Sequence, residues 1–226
     1  MTKIKPRITE GRAIEDSNSM TMEEYSEIMK KQLGKDYNRF ADNVISQVMP
    51  TNNSLVLEIG SGPGWAGINL VKKRPDLMLD GLEPSNDMIK VATENAKHEG
   101  VGDRCKYING FAENMNEIKD ATYDLVISRD SLHHFIDPEK VFLEVKRVLK
   151  PAGKIYIRDS RRDLNLFVKL IVNIFSRFIP NNMGKYWKSS IAASYTPQEI
   201  EEIINKIKCN DWRVNSNLMD LTILKI

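Results

Sequence analysis

Residues 55–64, Leu-Val-Leu-Glu-Ile-Gly-Ser-Gly-Pro-Gly, constrain this chain more than any other segment. An apolar run, Leu55 to Ile59, carries one acid, Glu58, and breaks into a turn with glycine at positions 60, 62 and 64. A helix-like stretch, Trp65 to Lys73, follows at once. A short buried strand turning sharply into a helix opens an α/β sheet. In such sheets ligands bind in the crevice at the carboxyl ends of the strands. Glycines in that turn leave room for a ligand against the backbone.

Three ligand types compete for the loop. A Walker-type phosphate cradle ends in Gly-Lys-Ser/Thr, whereas this chain has Gly64-Trp65-Ala66. A dinucleotide fingerprint is G-x-G-x-x-G, but here the third glycine comes one position early and Trp65 stands in its place. The third candidate is S-adenosyl-L-methionine, whose amino-acid end is zwitterionic and whose sulfur is a cation. An acid just ahead of the glycines suits that ligand better than a pyrophosphate.

The next strand-like run, Leu77 to Leu82, ends in Glu83-Pro84-Ser85. A carboxylate about 20 residues past the glycine loop, at the end of the second strand, can accept both ribose hydroxyls. With Glu58, the G-x-G-x-G spacing and Glu83 together, the chain resembles the class I S-adenosylmethionine-dependent methyltransferases. The closer resemblance is to the small-molecule enzymes related to ubiquinone and menaquinone biosynthesis. It covers about residues 40–160, and the last 30 residues in topology.

The rest of the chain divides around that core. Residues 1–20 are polar and irregular, and 21–49 read as two helices divided by Gly34. Strands are expected at 55–59, 78–82, 105–109, 123–128 and 154–159, and helices at about 65–73, 86–98 and 138–150. Asp137 and Pro138 form an N-cap and first helical position. Residues 160–195 interrupt the rhythm. A capping box at Thr196-Pro197-Gln198-Glu199 restarts it, and two short strands around Asn217–Asp220 form a hairpin. The expected fold is thus a single domain over 1–226: a Rossmann-like, seven-stranded, mostly parallel α/β sheet with helices on both faces. An antiparallel C-terminal hairpin strand, an N-terminal helical cap (about 1–50) and an inserted lid (about 160–195) complete it.

Composition narrows the class further. The formal charge of +2 leaves no strong nucleic-acid footprint. Cys105 and Cys209 have no metal-type spacing and read as reduced thiols. The N-terminus lacks a signal-peptide core, which makes the cytoplasm the default compartment.

The resemblance implies S-adenosyl-L-methionine as cofactor, S-adenosyl-L-homocysteine as product and no metal. It implies cofactor contacts from Glu58, Gly60, Ser61, Gly62, Glu83, Pro84, Met88, Phe111, Ala112 and Arg129. Related enzymes carry an acid where this chain has Phe111, so Phe111 either borders the adenine or belongs to the core. Met88 either covers the ribose or is core. Arg129 lends backbone, and its guanidinium could grip an acidic acceptor. His133, in the tail of strand four, and Asp159, at the end of strand five, are the candidate catalytic residues, with His134 and Tyr195 as further candidate bases. Arg158, Arg161 and Arg162 either bind an acidic substrate or pair with Asp159 and Asp163 to pin the insert.

Leu164 to Ile179 is almost wholly apolar and too short to span a bilayer comfortably. A lid over the acceptor pocket would bring Phe167, Ile171, Phe175 and Trp187 over the crevice. A membrane surface or a second copy of the chain would take them outward instead. The expected reaction is methyl transfer to a small-molecule acceptor, with no nucleic-acid partner. The alternatives are a methyltransferase acting on RNA or protein, or a non-catalytic cofactor-binding protein.

Overall fold

The glycine-loop strand is the hub of the sheet. In the computed structural model, which describes Arg7, residues 20–179 and residues 183–226, β1 (Leu55–Ile59) pairs in parallel with β2 (Met78–Glu83) on one side and β4 (Tyr123–Arg129) on the other. β3 (Cys105–Asn109) extends the first side, and β5 (Leu149–Ser160) extends the second. The hairpin β6 (Arg213–Ser216) and β7 (Asp220–Lys225) closes the sheet, with β7 antiparallel to β5. The order is β3-β2-β1-β4-β5-β7-β6. The order reverses between β1 and β4, which makes that the ligand crevice of an open sheet.

Alternation along the strands sorts side chains to two cores. Val56, Leu125, Ile127, Tyr156 and Leu224 face one side, against α1 (Met22–Asn43) and α2 (Trp65–Lys73). Leu57, Ile59, Val126, Ile155, Ile157, Leu221 and Ile223 face the other, against α4 (Pro138–Val148) and α7 (Pro197–Lys206), with α3 (Asn86–His98) on the first side. Burial of both faces explains why β1 and β4 read as continuous apolar runs.

Helix starts follow the expected capping chemistry. Ser85 accepts from Met88 N at 3.3 Å, and Asp137 accepts from Lys140 N at 3.1 Å with Pro138 at the first position. Thr196 and Glu199 form the reciprocal box ahead of α7. Thr21 and Glu24 form a second one, ahead of α1.

Two expectations need correction. Gly34 does not divide two helices; α1 runs unbroken through it to Asn43 and continues as a wider turn over Val44–Val48. A glycine inside a helix costs about 1 kcal/mol relative to alanine, and the burial of Tyr37, Phe40 and Ala41 outweighs it. α4 stops at Val148, because Lys150 precedes Pro151 and is biased to extended backbone. β5 therefore begins early, and its register to β4 slips between Tyr123 and Leu125 to absorb the extra residues.

The insert is helical. It forms α5 (Leu166–Phe175) and α6 (Met183–Ala193). Leu164, Val168, Val172 and Ile191 pack together with Trp187 and Met219. Phe167 and Phe175 are 70% and 60% exposed and stand outside this packed cluster. Only β-branched Val168 and Val172, one turn apart, face inward from α5. The expected irregular segment 1–20 lies outside the described residues except for Arg7 and Met20.

Candidate active site

The carboxyl edge of the sheet gathers most of the expected residues, and each is placed by local backbone chemistry. Glu58 is buried in β1, and both of its carboxylate oxygens accept from the Gly67 amide in the first turn of α2, each at 3.2 Å. Burial pushes its pKa up to about 8, against the pull of the Gly67 amide and the positive charge of Arg129. A β-carbon at Gly67 would strike the Glu58 carboxylate and Leu79, so this glycine is required by close approach.

Glu83, at the end of β2, is also buried. One oxygen accepts from Gly62 N at 2.9 Å and the other from Ser85 N at 3.1 Å. The carboxylate thus holds the glycine loop against the second strand. Gly60 and Ser61 amides add bonds to the Leu82 carbonyl at 2.9 and 3.3 Å. Burial raises the Glu83 pKa above the ordinary range, with the two amides opposing. Gly62 has φ +50°, and a β-carbon there would meet nothing within 4 Å. Its missing side chain therefore faces open space at the crevice. Beside it, Ser61 Oγ is buried without a hydrogen-bond partner among the described residues, as is the Tyr107 hydroxyl beneath the loop.

The other contacts expected for the cofactor are spread along the same edge. Pro84 is exposed, and its carbonyl accepts from Asn109 Nδ2 at 2.8 Å. Ala112 is buried and Phe111 is 48% exposed, so Phe111 is not core. Met88 is 2% exposed and packs in the interior.

Across the crevice, β4 ends in Arg129-Asp130-Ser131. Ser131 donates to the Gly60 carbonyl at 2.9 Å, fastening the two strand ends together. Asp130 has φ +53°, a left-handed conformation that a non-glycine residue adopts only when its surroundings impose it. The Arg129 guanidinium is buried, ion-paired to Asp36 and to Asp130 at 2.9 Å, and stacked 4.3 Å from the centre of the Tyr37 ring. It is therefore engaged inside the protein rather than presented to an acidic acceptor. Asp36 also binds Arg158 at 3.0 and 3.2 Å. Of the two other arginines after β5, Arg161 pairs with Asp163 at 2.7 Å and Arg162 pairs with Glu199. The structural alternative for these cations is the one adopted, with Asp36, Asp220 and Glu199 taking the partner roles that had been expected of Asp159.

Asp159 serves His133 instead. The carboxylate is 1% exposed and accepts from the His133 backbone N at 2.9 Å. His133 Nδ1 lies 2.9 and 3.0 Å from its two oxygens. Burial opposes the charge on Asp159, but His133 and the Ser160 amide hold its carboxyl below the usual range. With Nδ1 donating to Asp159, the basic nitrogen of a neutral ring is Nε2. Tyr195 donates to the Phe135 carbonyl at 3.0 Å, and burial pushes its hydroxyl up to about 12, so it is a poor base.

Sequence reasoning missed Asp36, Tyr107 and Arg7. Asp36 looks like any solvated acid on a helix. Arg7 donates to the carbonyls of Ala193, His133 and Phe135 at 2.6, 2.7 and 3.1 Å, uniting three distant segments that no spacing relates. Tyr25 is half-buried, and burial and the nearby Asp130 charge push its hydroxyl up to about 12. α1 is seated here by Trp65, whose indole donates to the Ser26 carbonyl at 3.1 Å, and by Asn95, which donates to Ser26 Oγ at 2.9 Å. Trp65 thus has a docking task at the position where a dinucleotide fingerprint requires glycine.

Strand order, glycine loop and hairpin define a class I, S-adenosylmethionine-dependent methyltransferase. Residues 50–206 match the family model described as a methyltransferase domain. The uncharacterized methyltransferase YdaC of Bacillus subtilis is 32% identical over 53% of this chain and 63% of its own length. A demethylmenaquinone methyltransferase of Bacteroides fragilis is 23% identical over 88% of this chain and 82% of its own. Among solved structures, a candidate S-adenosyl-L-methionine-dependent methyltransferase of Methanococcus maripaludis superposes with a TM-score of 0.70 over 90% of both chains, at 22% identity. The chain belongs to the methyltransferase-domain family.

Proposed function

We propose that this protein transfers a methyl group from S-adenosylmethionine to a small-molecule acceptor, with Glu58, the Gly60–Gly62 loop and Glu83 holding the cofactor and His133 serving as general base. One observation carries the reading. The crevice between β1 and β4 has a buried carboxylate, Glu83, at the strand end on one side and a buried His133–Asp159 pair on the other.

The residues present fit the cofactor. Gly62 leaves open space, Ser61 offers an unpartnered buried hydroxyl, and each Glu83 oxygen has one backbone donor and a further lone pair for a hydroxyl. When bound, S-adenosylmethionine supplies a methyl group already activated on a cationic sulfur. The protein's contribution is then alignment and exclusion of water, worth roughly 7–11 kcal/mol for well-oriented reactants. For an acceptor that must lose a proton, His133 Nε2 takes it while Asp159 fixes the ring's orientation and balances the charge that forms.

A small-molecule acceptor is supported by the named activity of the Bacteroides fragilis relative and by the modest net charge of the chain. The end of β4 and the residues that follow, Ser128-Arg129-Asp130-Ser131, also differ from the Asn/Asp-Pro-Pro-Tyr loop suited to amino groups of bases and side chains. The test is calorimetric titration with S-adenosylmethionine, S-adenosylhomocysteine and NAD. It is followed by measurement of S-adenosylhomocysteine formation against phenolic, quinol, amine and thiol acceptors. Binding of the first two ligands with turnover on one acceptor class supports the reading. A preference for NAD would sink it.

A further inference from the structure

The insert presents an apolar face that none of the other described residues covers. Leu166, Leu170 and Ile174 lie one turn apart on α5 and are 69%, 57% and 45% exposed, with Phe167 beside them at 70%. Phe175 and Phe178 continue the patch past the end of the helix at 60% and 79%. The opposite side of α5 is anchored through Val168 and Val172 to Ile191 and Trp187, so the exposed side chains stand on a packed base. Exposed apolar surface concentrated in this way marks an interaction site.

Charge distinguishes the possible occupants. Between Asp163 and Glu199 the sequence has four basic residues, Lys169, Arg177, Lys185 and Lys188, and no acidic one. All four are exposed. None has an ion-pair partner among the described residues, whereas the neighbouring Arg161 and Arg162 do. A second copy docked through the same face would set these cations against their own counterparts, with no acid from the segment to balance them. An aromatic and aliphatic face on a segment whose only charges are unpaired lysine and arginine is instead complementary to an anionic bilayer, which offers an apolar interior beneath negative headgroups. Among the described residues no helix is long and apolar enough to cross a membrane. Contact would therefore be peripheral.

We propose that α5 and the turn to Phe178 form a docking surface for an anionic lipid membrane, with Phe167 and Phe175 entering the acyl boundary and Lys169, Arg177, Lys185 and Lys188 meeting the headgroups. The surface adjoins the mouth of the candidate site. α5 leaves the carboxyl edge directly after β5, and α6 packs against residues 132–134, which include His133. The inference does not depend on the identity of the acceptor.

Vesicle flotation of the full chain tests it. Wild-type protein should float with phosphatidylcholine vesicles containing phosphatidylglycerol, and binding should fall with added salt and on vesicles of phosphatidylcholine alone. The double variant F167S/F175S should bind at least about tenfold more weakly. The double charge reversal K169E/R177E should lose roughly fivefold per charge on the anionic vesicles. Calorimetry with S-adenosylmethionine on the same samples separates a lost surface from a lost fold or a failed cofactor reading. Wild-type protein that stays unbound with anionic vesicles at low salt overturns the proposal. So does a concentration-dependent dimer in sedimentation velocity that F167S/F175S abolishes while flotation is unaltered, since a second copy is then the occupant.

Discussion

Asp159 holds His133 twice, accepting from its backbone amide and from ring Nδ1, both at 2.9 Å. The two residues come from different strand ends, the tail after β4 and the end of β5, and the parallel pairing of those strands brings them together. One carboxylate therefore sets both the path of the loop and the tautomer of the ring.

Replacing Asp159 with Asn keeps the shape but removes the charge. For an acceptor that must be deprotonated, turnover should drop by about 10²–10⁴-fold with cofactor affinity nearly unchanged. The acidic limb of the pH–rate profile should move to lower pH, because an imidazolium loses its counter-charge. Steady-state kinetics across pH, alongside calorimetry, would check both; an unaltered profile would reduce Asp159 to a purely structural role.

Glu83→Ala removes the acceptor of the Gly62 amide and the expected partner of the ribose hydroxyls. Cofactor binding should weaken by about 1.5–3 kcal/mol. Glu83→Gln, which keeps an acceptor for the loop, should recover part of that loss. Equal affinity in wild type and both variants, by calorimetry, would remove Glu83 from the site.

Glu58 titrates inside the fold. Its native pKa of about 8 lies above the unfolded value, so the native state binds the extra proton between about pH 4.5 and 8. The stabilisation tied to that proton is complete at low pH and is lost as pH rises through the native pKa. Denaturant melts of the ligand-free protein should show stability falling across this window, by on the order of a few kcal/mol. Glu58→Gln should flatten the slope; a variant with the same pH dependence as wild type refutes the assignment.

Asp36 is the acid shared by Arg129 and Arg158, both of which are largely buried. Asp36→Ala should destabilise the protein by about 2–4 kcal/mol. This sits somewhat below the roughly 3–5 kcal/mol for breaking a fully buried pair, because Asp36 is partly exposed and Arg129 keeps Asp130. Chemical denaturation measures it. A loss below about 0.5 kcal/mol would place the ion pair with ordinary surface pairs.

Gly62→Val should impair cofactor binding more than stability. Its β-carbon meets no protein atom, but it enters the crevice from a left-handed backbone. The strain costs about 1–2 kcal/mol. Gly62→Asn, which tolerates that backbone, should be nearer to wild type in stability while still obstructing the ligand. Thermal melts and titrations on both variants separate the two effects.

The sequence by itself determined the sheet, its direction and the cofactor edge. These rest on short-range rules: apolar runs of strand length, glycines at the turn, caps at Ser85, Asp137 and Thr196, and an acid at the end of each of the first two strands. Each is decided within a few residues, so it is legible from the order of residues alone. Only the tertiary structure decided which charges pair and which apolar residues stay outside. Asp36 meets Arg129 and Arg158 from 93 and 122 residues away, and Asp159 chooses His133 over the arginines beside it. The apolar run at 164–179 carries no mark separating Val168, which is buried, from Phe167, which is exposed. Packing against Ile191 and Trp187 makes that distinction. Such choices depend on distances in space between segments that sequence spacing does not relate.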